Sequence, residues 1–369
     1  MLSIWCYRTR IRYWEKELAE INRIKNVLSA VGKQTEQFES SDGTRVLILP
    51  YGGRILGLFT SDDDENFYWT NTALDSVETA KELYESGQWH NSGGDRTWLA
   101  PEVDLFFPNF PDLNPYFQQR SLDPGKYEVV KTGDSFKLIN RLAVNFSRYK
   151  QDLNLEITKS IGPAPNPLRY EHDIDPDSIR YAGYTQFTSL ELVEASEDTK
   201  IQVGLWNLVQ MPHGGDLILP TYSKVEPKIY FGSIPQEDIS ASNHLLIYKM
   251  KQEGEHKIGV RAVATTGRIG YLYPADQSWA LIVRNFCVNP SGEYIDVPWK
   301  DTADLGYSTQ ACNVNSGLGQ FSELEYHIPA IGGGTGLTRF DDQAQVWAFR
   351  GTRESILQVA KILLSPELE

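Results

Sequence analysis

Three ionisable residues stand two apart near the C-terminal end: Glu323, Glu325 and His327, within Phe321-Ser322-Glu323-Leu324-Glu325-Tyr326-His327-Ile328-Pro329. Side chains alternate along an extended strand, so these three share one face with Phe321, while Leu324 belongs to the other and is expected to be buried. Two carboxylates and an imidazole beside an aromatic ring suit proton transfer on a polar, non-ionic substrate such as a sugar. Repulsion between the carboxylates would raise one pKa, which is useful for acid–base work. Burying all three in an apolar core would be costly. Their face is therefore either a solvated surface or a polar cleft. Phe321, Pro329 and the following Gly332-Gly333-Gly334 favour the cleft.

A second concentration of charge and aromatic rings is Trp89-His90-Asn91-Ser92-Gly93-Gly94-Asp95-Arg96-Thr97-Trp98, followed by Glu102. Two glycines permit a tight bend that could aim Arg96 inward. Its fork of donors suits sugar hydroxyls, a carboxylate or a phosphate. Alternatively, Arg96 pairs with Asp95 or Glu102 and locks the loop. In Trp206-Asn207-Leu208-Val209-Gln210-Met211-Pro212-His213, period two puts Trp206 and Gln210 on one face. They form either a stacking plane with an amide donor or a core Trp with a backbone-bonded Gln. His213 sits in the following loop. Tyr294 to Asp301, carrying Trp299, lines a cleft or forms an exposed turn.

The elements that must position these residues are mostly strands. Apolar alternation broken by turn residues about every ten positions runs from Thr35 to Phe349, which reads as an all-β sandwich. The strand candidates include Arg45–Leu49, Phe67–Trp69, Leu153–Thr158, Lys200–Val209, Ile258–Val263 and Phe321–Ile328. Helical spacing occurs over Trp14–Val31, near Val77–Ser86, and over Thr352–Leu364 with Thr352 as N-cap. No Ser- or Pro-rich linker interrupts the β region, so residues 1–33 are expected to be a helical extension and 34–369 one domain.

Composition narrows the ligand. The net charge is −14, which disfavours nucleic acid and anionic membranes, since both call for a basic patch. Aromatic residues make up 12 % of the chain, with nine Trp and nineteen Tyr, more than enough to fill a core and supply stacking planes. Cys6, Cys287 and Cys312 show no metal-ligand spacing or disulfide framework, and the latter two read as buried thiols; no metal site is expected. No signal-peptide pattern and no long apolar run is evident, so a cytoplasmic location is expected.

Taken together, the motifs resemble those of the galactose mutarotase-like superfamily, which includes aldose 1-epimerases and hexose-6-phosphate epimerases. The resemblance spans about Gln34 to Gly351. It rests on Tyr51-Gly52-Gly53-Arg54-Ile55, on Gly93-Gly94-Asp95-Arg96, on Trp206-Asn207-Leu208, and on Leu324-Glu325 shortly before Pro329. The Gly-Gly-Asp-Arg-x-Trp-x-Ala-Pro-Glu string is similar to that of bacterial members with no assigned activity. The resemblance implies an antiparallel β-supersandwich with its site on a concave sheet face. It also implies an epimerase-like enzyme with Glu325 as the base, needing no metal or organic cofactor. The position of the family's acid His corresponds to Val203, so the acid is sought in His327, His213 or His90. Arg96, Asp95, Trp98, Glu102, Trp206, Gln210, Glu323 and Trp299 are expected to hold a small or oligomeric carbohydrate. A non-catalytic carbohydrate-binding protein and a glycan lyase or hydrolase are the alternatives.

Overall fold

A computed structural model describes residues 20–60, 65–193 and 200–369. Cys6 and residues 14–19 of the first expected helix lie outside them. The chain begins with α1 (Glu20–Ala30), β1 (Glu36–Glu39), β2 (Arg45–Leu49), β3 (Arg54–Phe59), α2 (Val77–Glu85), β4 (Asp95–Ala100) and the single turn α3 (Glu102–Leu105). The middle contributes β5 (Glu128–Thr132), β6 (Ser135–Phe146), β7 (Gln151–Pro163), β8 (Ile179–Leu192), β9 (Gln202–Pro212), β10 (Asp216–Pro220), β11 (Lys228–Phe231), β12 (Ile239–Ala241) and β13 (Leu245–Lys249). Then follow β14 (Gly254–Val260), β15 (Arg268–Ala275), β16 (Ser278–Phe286), β17 (Thr309–Ser316), β18 (Gly319–His327), β19 (Ile331–Gly332), β20 (Arg339–Gly351) and α4 (Arg353–Leu363).

These strands make two ten-stranded antiparallel sheets. The first runs β1-β2-β3-β4-β9-β18-β17-β14-β11, with β19 joined to β9. The second runs β12-β13-β10-β15-β16-β20-β8-β7-β6-β5. One apolar core draws on both, for example Val203, Leu205, Val209 and Leu324 against Ile157, Leu190, Ile282 and Val346. The expected all-β supersandwich with a C-terminal helix is the observed architecture. Helix α4 has Thr352 as N-cap, its side chain accepting from the Ser355 N–H. Helix α1 buries Ile21, Ile24, Val27 and Leu28 against Leu47, Leu49, Leu56 and Phe59 of β2 and β3.

Several expectations are corrected. Phe67–Trp69 is not a strand: the Trp69 N–H donates to the Gln210 carbonyl and its carbonyl accepts from Gly94, so the segment only crosses the ends of β9 and β4. The Asp95 stretch, expected as a loop, is a strand between β3 and β9. The two preceding glycines are what let it fit. At Gly93 (φ +95°) a Cβ would stand 2.3 Å from the Trp69 carbonyl oxygen, and at Gly94 (φ +73°) 2.3 Å from that of Ile55. Cys287 is exposed, because it follows the end of β16, whereas Cys312 is buried.

The sheets are bolted together by charge. The Asp95 carboxylate points into the inter-sheet core, where it accepts from Arg284 Nη2 at 2.6 Å and the Tyr184 hydroxyl at 2.6 Å. Lys159 Nζ lies 3.4 Å away, and the Asp95, Arg284 and Lys159 side chains are fully buried. Asp95 was expected to bind substrate. Period two places it instead on the face opposite Arg96. Removing Arg284 breaks the short contact and leaves Asp95 with only the longer one to Lys159, and breaking a buried ion pair is strongly destabilising. Arg284→Met should therefore destabilise the protein by about 3–5 kcal/mol in urea unfolding. A loss below about 1 kcal/mol would show that the Asp95 charge is held elsewhere.

Candidate functional site

Strand pairing assembles the site from distant sequence. Across the first sheet, Gln210 of β9 faces Glu323 of β18, which faces Cys312 of β17, which faces Lys257 of β14. One step along, Arg96 of β4, Leu208, Glu325 and Gln310 are in line, and beyond them Trp98, Trp206 and His327. Opposed residues share a face, and the pairing of β18 with both neighbours is continuous, with no bulge. Glu323, Glu325 and His327 therefore point the same way. The alternate residues meet the second sheet: Ser322 accepts from Tyr271 and Tyr326 donates to Asp342. Leu324 is fully buried.

The face turned away from the second sheet bears a cavity of about 620 Å³. Glu323 and Glu325 stand in its floor with Arg96, Lys257 and Cys312, and its walls include Trp89, Trp98, Trp206, Tyr116, Trp299 and Glu102. Glu325 Oε2 accepts from the Trp206 indole at 2.7 Å and lies 3.0 Å from Lys257 Nζ. Glu325 Oε1 is buried with no partner. Lys257 Nζ also sits 4.1 Å over the Trp206 ring, a cation–π contact, and 3.9 Å from Glu102. Glu323 Oε1 accepts from Arg96 Nη2 at 3.1 Å and from Gln210 Nε2 at 3.0 Å. The Arg96 guanidinium lies 4.2 Å over the Trp98 ring, and its Nε and Nη1 are buried without partners.

Each wall Trp is tethered through its indole N–H to a carboxylate. Asp123 Oδ2 accepts from Trp89 at 2.9 Å and Trp98 at 3.0 Å, and is neutralised by Arg54 at 3.0 Å. Glu102 accepts from Trp299 at 2.7 Å and from the Tyr116 hydroxyl at 2.6 Å. The Glu102 backbone N–H donates to the buried Asp296 at 2.8 Å, which ties α3 to the loop carrying Trp299.

Burial sets the electrostatics. It pushes the Glu325 carboxyl up to about 8, with Lys257 opposing the shift and Glu323 adding to it. Burial likewise raises Glu102, against the pull of Lys257. Burial works against the Lys257 ammonium, but Glu325, Glu102 and Asp296 overcome it and hold the amine above the ordinary lysine value. Burial lowers His327 to about 4, so its ring is neutral at physiological pH.

The structure thus brings Arg96, Trp98, Glu102, Trp206, Trp299, Glu323 and Glu325 to one cavity and leaves other candidates outside it. Gln210 lies behind Glu323 and supports it. His327 stacks on Trp206 with ring centroids 5.6 Å apart, in the sheet rather than at the cavity surface. His213 follows the far end of β9 and is bonded to Asn313 at 2.9 Å, a residue on the face opposite Cys312. His90 is held by Tyr51 and the Ser86 carbonyl. Val203 is fully buried in the inter-sheet core. The charged floor residue that sequence reasoning missed is Lys257, and with it went the wall residue Tyr116 and the anchor Asp123. A lysine two residues before Gly259 in an Ile- and Val-bearing strand was the available signal. Cys312 Sγ and one oxygen each of Glu323 and Glu325 fall within 4.8 Å of one another. Burial and both carboxylates push the Cys312 thiol well above its ordinary value, so a metal ion bound there would have to displace its proton.

With this geometry in place, comparison with known proteins is informative. The model of DUF6786, described as a family of unknown function, matches residues 22–369. The chain belongs to that family. No curated protein matches it. Among solved structures, a provisionally named aldose 1-epimerase from Escherichia coli K12 is 8 % identical, covering 85 % of this chain and 99 % of that one, with a TM-score of 0.50. A galactose mutarotase-like protein from Lactobacillus casei is 10 % identical over 85 % of this chain and 99 % of that one, with a TM-score of 0.48. This DUF6786 member shares its fold with the Escherichia coli structure. Among the described residues, no helix is long and apolar enough to cross a membrane.

The shifts carry a stability signature. The folded Glu325 pKa of about 8 exceeds the ordinary 4.5, so the stability it contributes is complete below 4.5 and is lost as pH rises through 8. His327 behaves oppositely: about 4 against 6.5 means its contribution is present above 6.5 and lost as pH falls through 4. Urea unfolding of Glu325→Gln, compared with the parent between about pH 6 and 9 (roughly two units below to one unit above the Glu325 value), should show a shallower fall in stability. Parallel curves would remove Glu325 as the titrating group.

Proposed function

We propose that this protein binds a pyranose sugar in the Trp-walled cavity and interconverts its anomers by proton transfer. The observation that carries the reading is Glu325. One of its oxygens is held by Trp206 and Lys257, while the other is buried, unpartnered and part of the cavity floor. A carboxylate so fixed is a positioned base. The fold similarity to mutarotase-like proteins agrees with this reading, and the aromatic walls supply apolar planes for a sugar ring.

In the proposed reaction Glu325 Oε1 takes the proton of the anomeric hydroxyl. The bond from the anomeric carbon to the ring oxygen breaks, its electron pair going to that oxygen, and a carbonyl forms. The ring oxygen takes a proton from Lys257, which replaces His327 and His213 in the acid role because it alone of the three lies at the cavity. Rotation about the adjacent carbon–carbon bond and reversal of the steps return the other anomer. Arg96 holds the substrate through Nε and Nη1, since Glu323 occupies only Nη2.

The test is anomer exchange followed by NMR on sugars that demonstrably bind. Glu325→Gln should lose about 10²–10⁴-fold in rate while remaining folded. Arg96→Ala should chiefly raise KM. The wild-type rate should climb as pH rises through about 8, because the base must be ionised. A rate that falls over that range would make Glu325 the acid instead. No acceleration of any bound sugar would leave a carbohydrate-binding protein.

A further inference from the structure

The cavity carries more acid than base. Glu102, Glu323 and Glu325 line it against Arg96 and Lys257, and Glu255 stands exposed at its mouth. The buried Asp296 backs Glu102 and accepts only neutral amide donors, from the Glu102 backbone and Gln310. Asp123 is already matched by Arg54. Cys312 is a neutral thiol and His327 a neutral ring. Tyr116, beside the Glu102 carboxylate, and the desolvated Tyr230 keep their phenol protons and bring no positive charge. Among the cavity's carboxylates the open acceptor is Glu325 Oε1, fully buried and unpartnered, while Arg96 Nε and Nη1 are the open donors and suit sugar hydroxyls. That acceptor can be satisfied by a hydroxyl or by an ammonium. Only the ammonium also corrects the charge.

Resting on the carbohydrate reading above, we propose that the ligand is an amino sugar, whose protonated amine binds one lone pair of Glu325 Oε1 and leaves the other to the anomeric hydroxyl. With Glu325 ionised the site holds one acid more than it has bases; a uronate would add to that excess, and a neutral sugar would leave it in place. Charge-assisted bonds to a carboxylate are roughly twice as strong as neutral ones. In the free protein the excess is met by a proton on Glu325. The arriving ammonium takes its place, and that proton passes to the buffer. Binding should therefore release protons at neutral pH.

The experiment is calorimetric titration of the whole protein with glucosamine, glucose and glucuronate at pH 7, repeated in two buffers of different ionisation enthalpy. Glucosamine should bind at least about tenfold more tightly than glucose, and glucuronate weakest. Only glucosamine should show a buffer-dependent enthalpy. Glu325→Gln, with its fold checked by thermal unfolding, should abolish both the preference and the proton release. Glucose binding as tightly as glucosamine would overturn the amino-sugar proposal and leave the carbohydrate reading standing. Preference for glucosamine without proton release, or undiminished in Glu325→Gln, would overturn the assignment to Glu325. Binding of none of the three would count against the carbohydrate reading itself, and glucosamine failing while glucose binds would sink the proposal alone.

Discussion

The Asp95–Arg284 contact inside the sandwich governs how the site is presented. Asp95 is the first residue of β4, and its carboxylate is drawn into the second sheet by a guanidinium, an ammonium and a phenol. Strand alternation then leaves Arg96 and Trp98 no choice but the opposite face. One buried charge thus fixes the direction in which two cavity residues project. The glycines before it permit β4 to lie close enough to β3 and to the crossing at Trp69.

The opposite face obeys the same economy of charge. Its acids are paired with basic groups or with indole donors, and nearly every pair joins different strands or loops. Glu323 on β18 reaches Arg96 on β4, Glu325 reaches Lys257 on β14, and Glu102 reaches Trp299 in a distant loop. Buried charges of this sort are weak evidence for stability, because desolvation offsets much of the attraction. Their value here is positional. Among its carboxylate oxygens, Glu325 Oε1 is conspicuous as buried and without a partner.

The sequence was legible where one face of a strand is apolar and the other is not. That pattern revealed the sandwich, α4 with its Thr352 cap, and the shared face of Glu323, Glu325 and His327. It failed in β17 and at the start of β14, two of the strands that build the cavity floor. In β17, Thr-Gln-Ala-Cys-Asn-Val-Asn-Ser has polar residues on both faces: Gln310 toward the cavity side and Asn313 toward a half-buried His213. In β14, Glu255 and Lys257 masked the start of the strand. The same polarity that makes a functional floor erases the hydrophobic signal of the strand carrying it. Partnership across the sheet was also hidden, since the pairing of Glu323 with Cys312 and of Cys312 with Lys257 is set by register, which local spacing does not encode. Asp95 was misread for a related reason: its neighbours Arg96 and Trp98 do face the cavity, and only the strand conformation separates them.

The indole tethers have a thermodynamic consequence. Trp89, Trp98, Trp206 and Trp299 each have their ring fixed by a hydrogen bond to a carboxylate that is itself neutralised or shared. Their rotameric freedom is surrendered during folding, when the whole chain orders, and not when a ligand arrives. An incoming molecule therefore meets walls that need no ordering, so little of its contact energy is spent on immobilising the protein. The converse also holds: walls fixed in this way cannot close around a ligand of a different outline, and selection by shape is settled before binding begins.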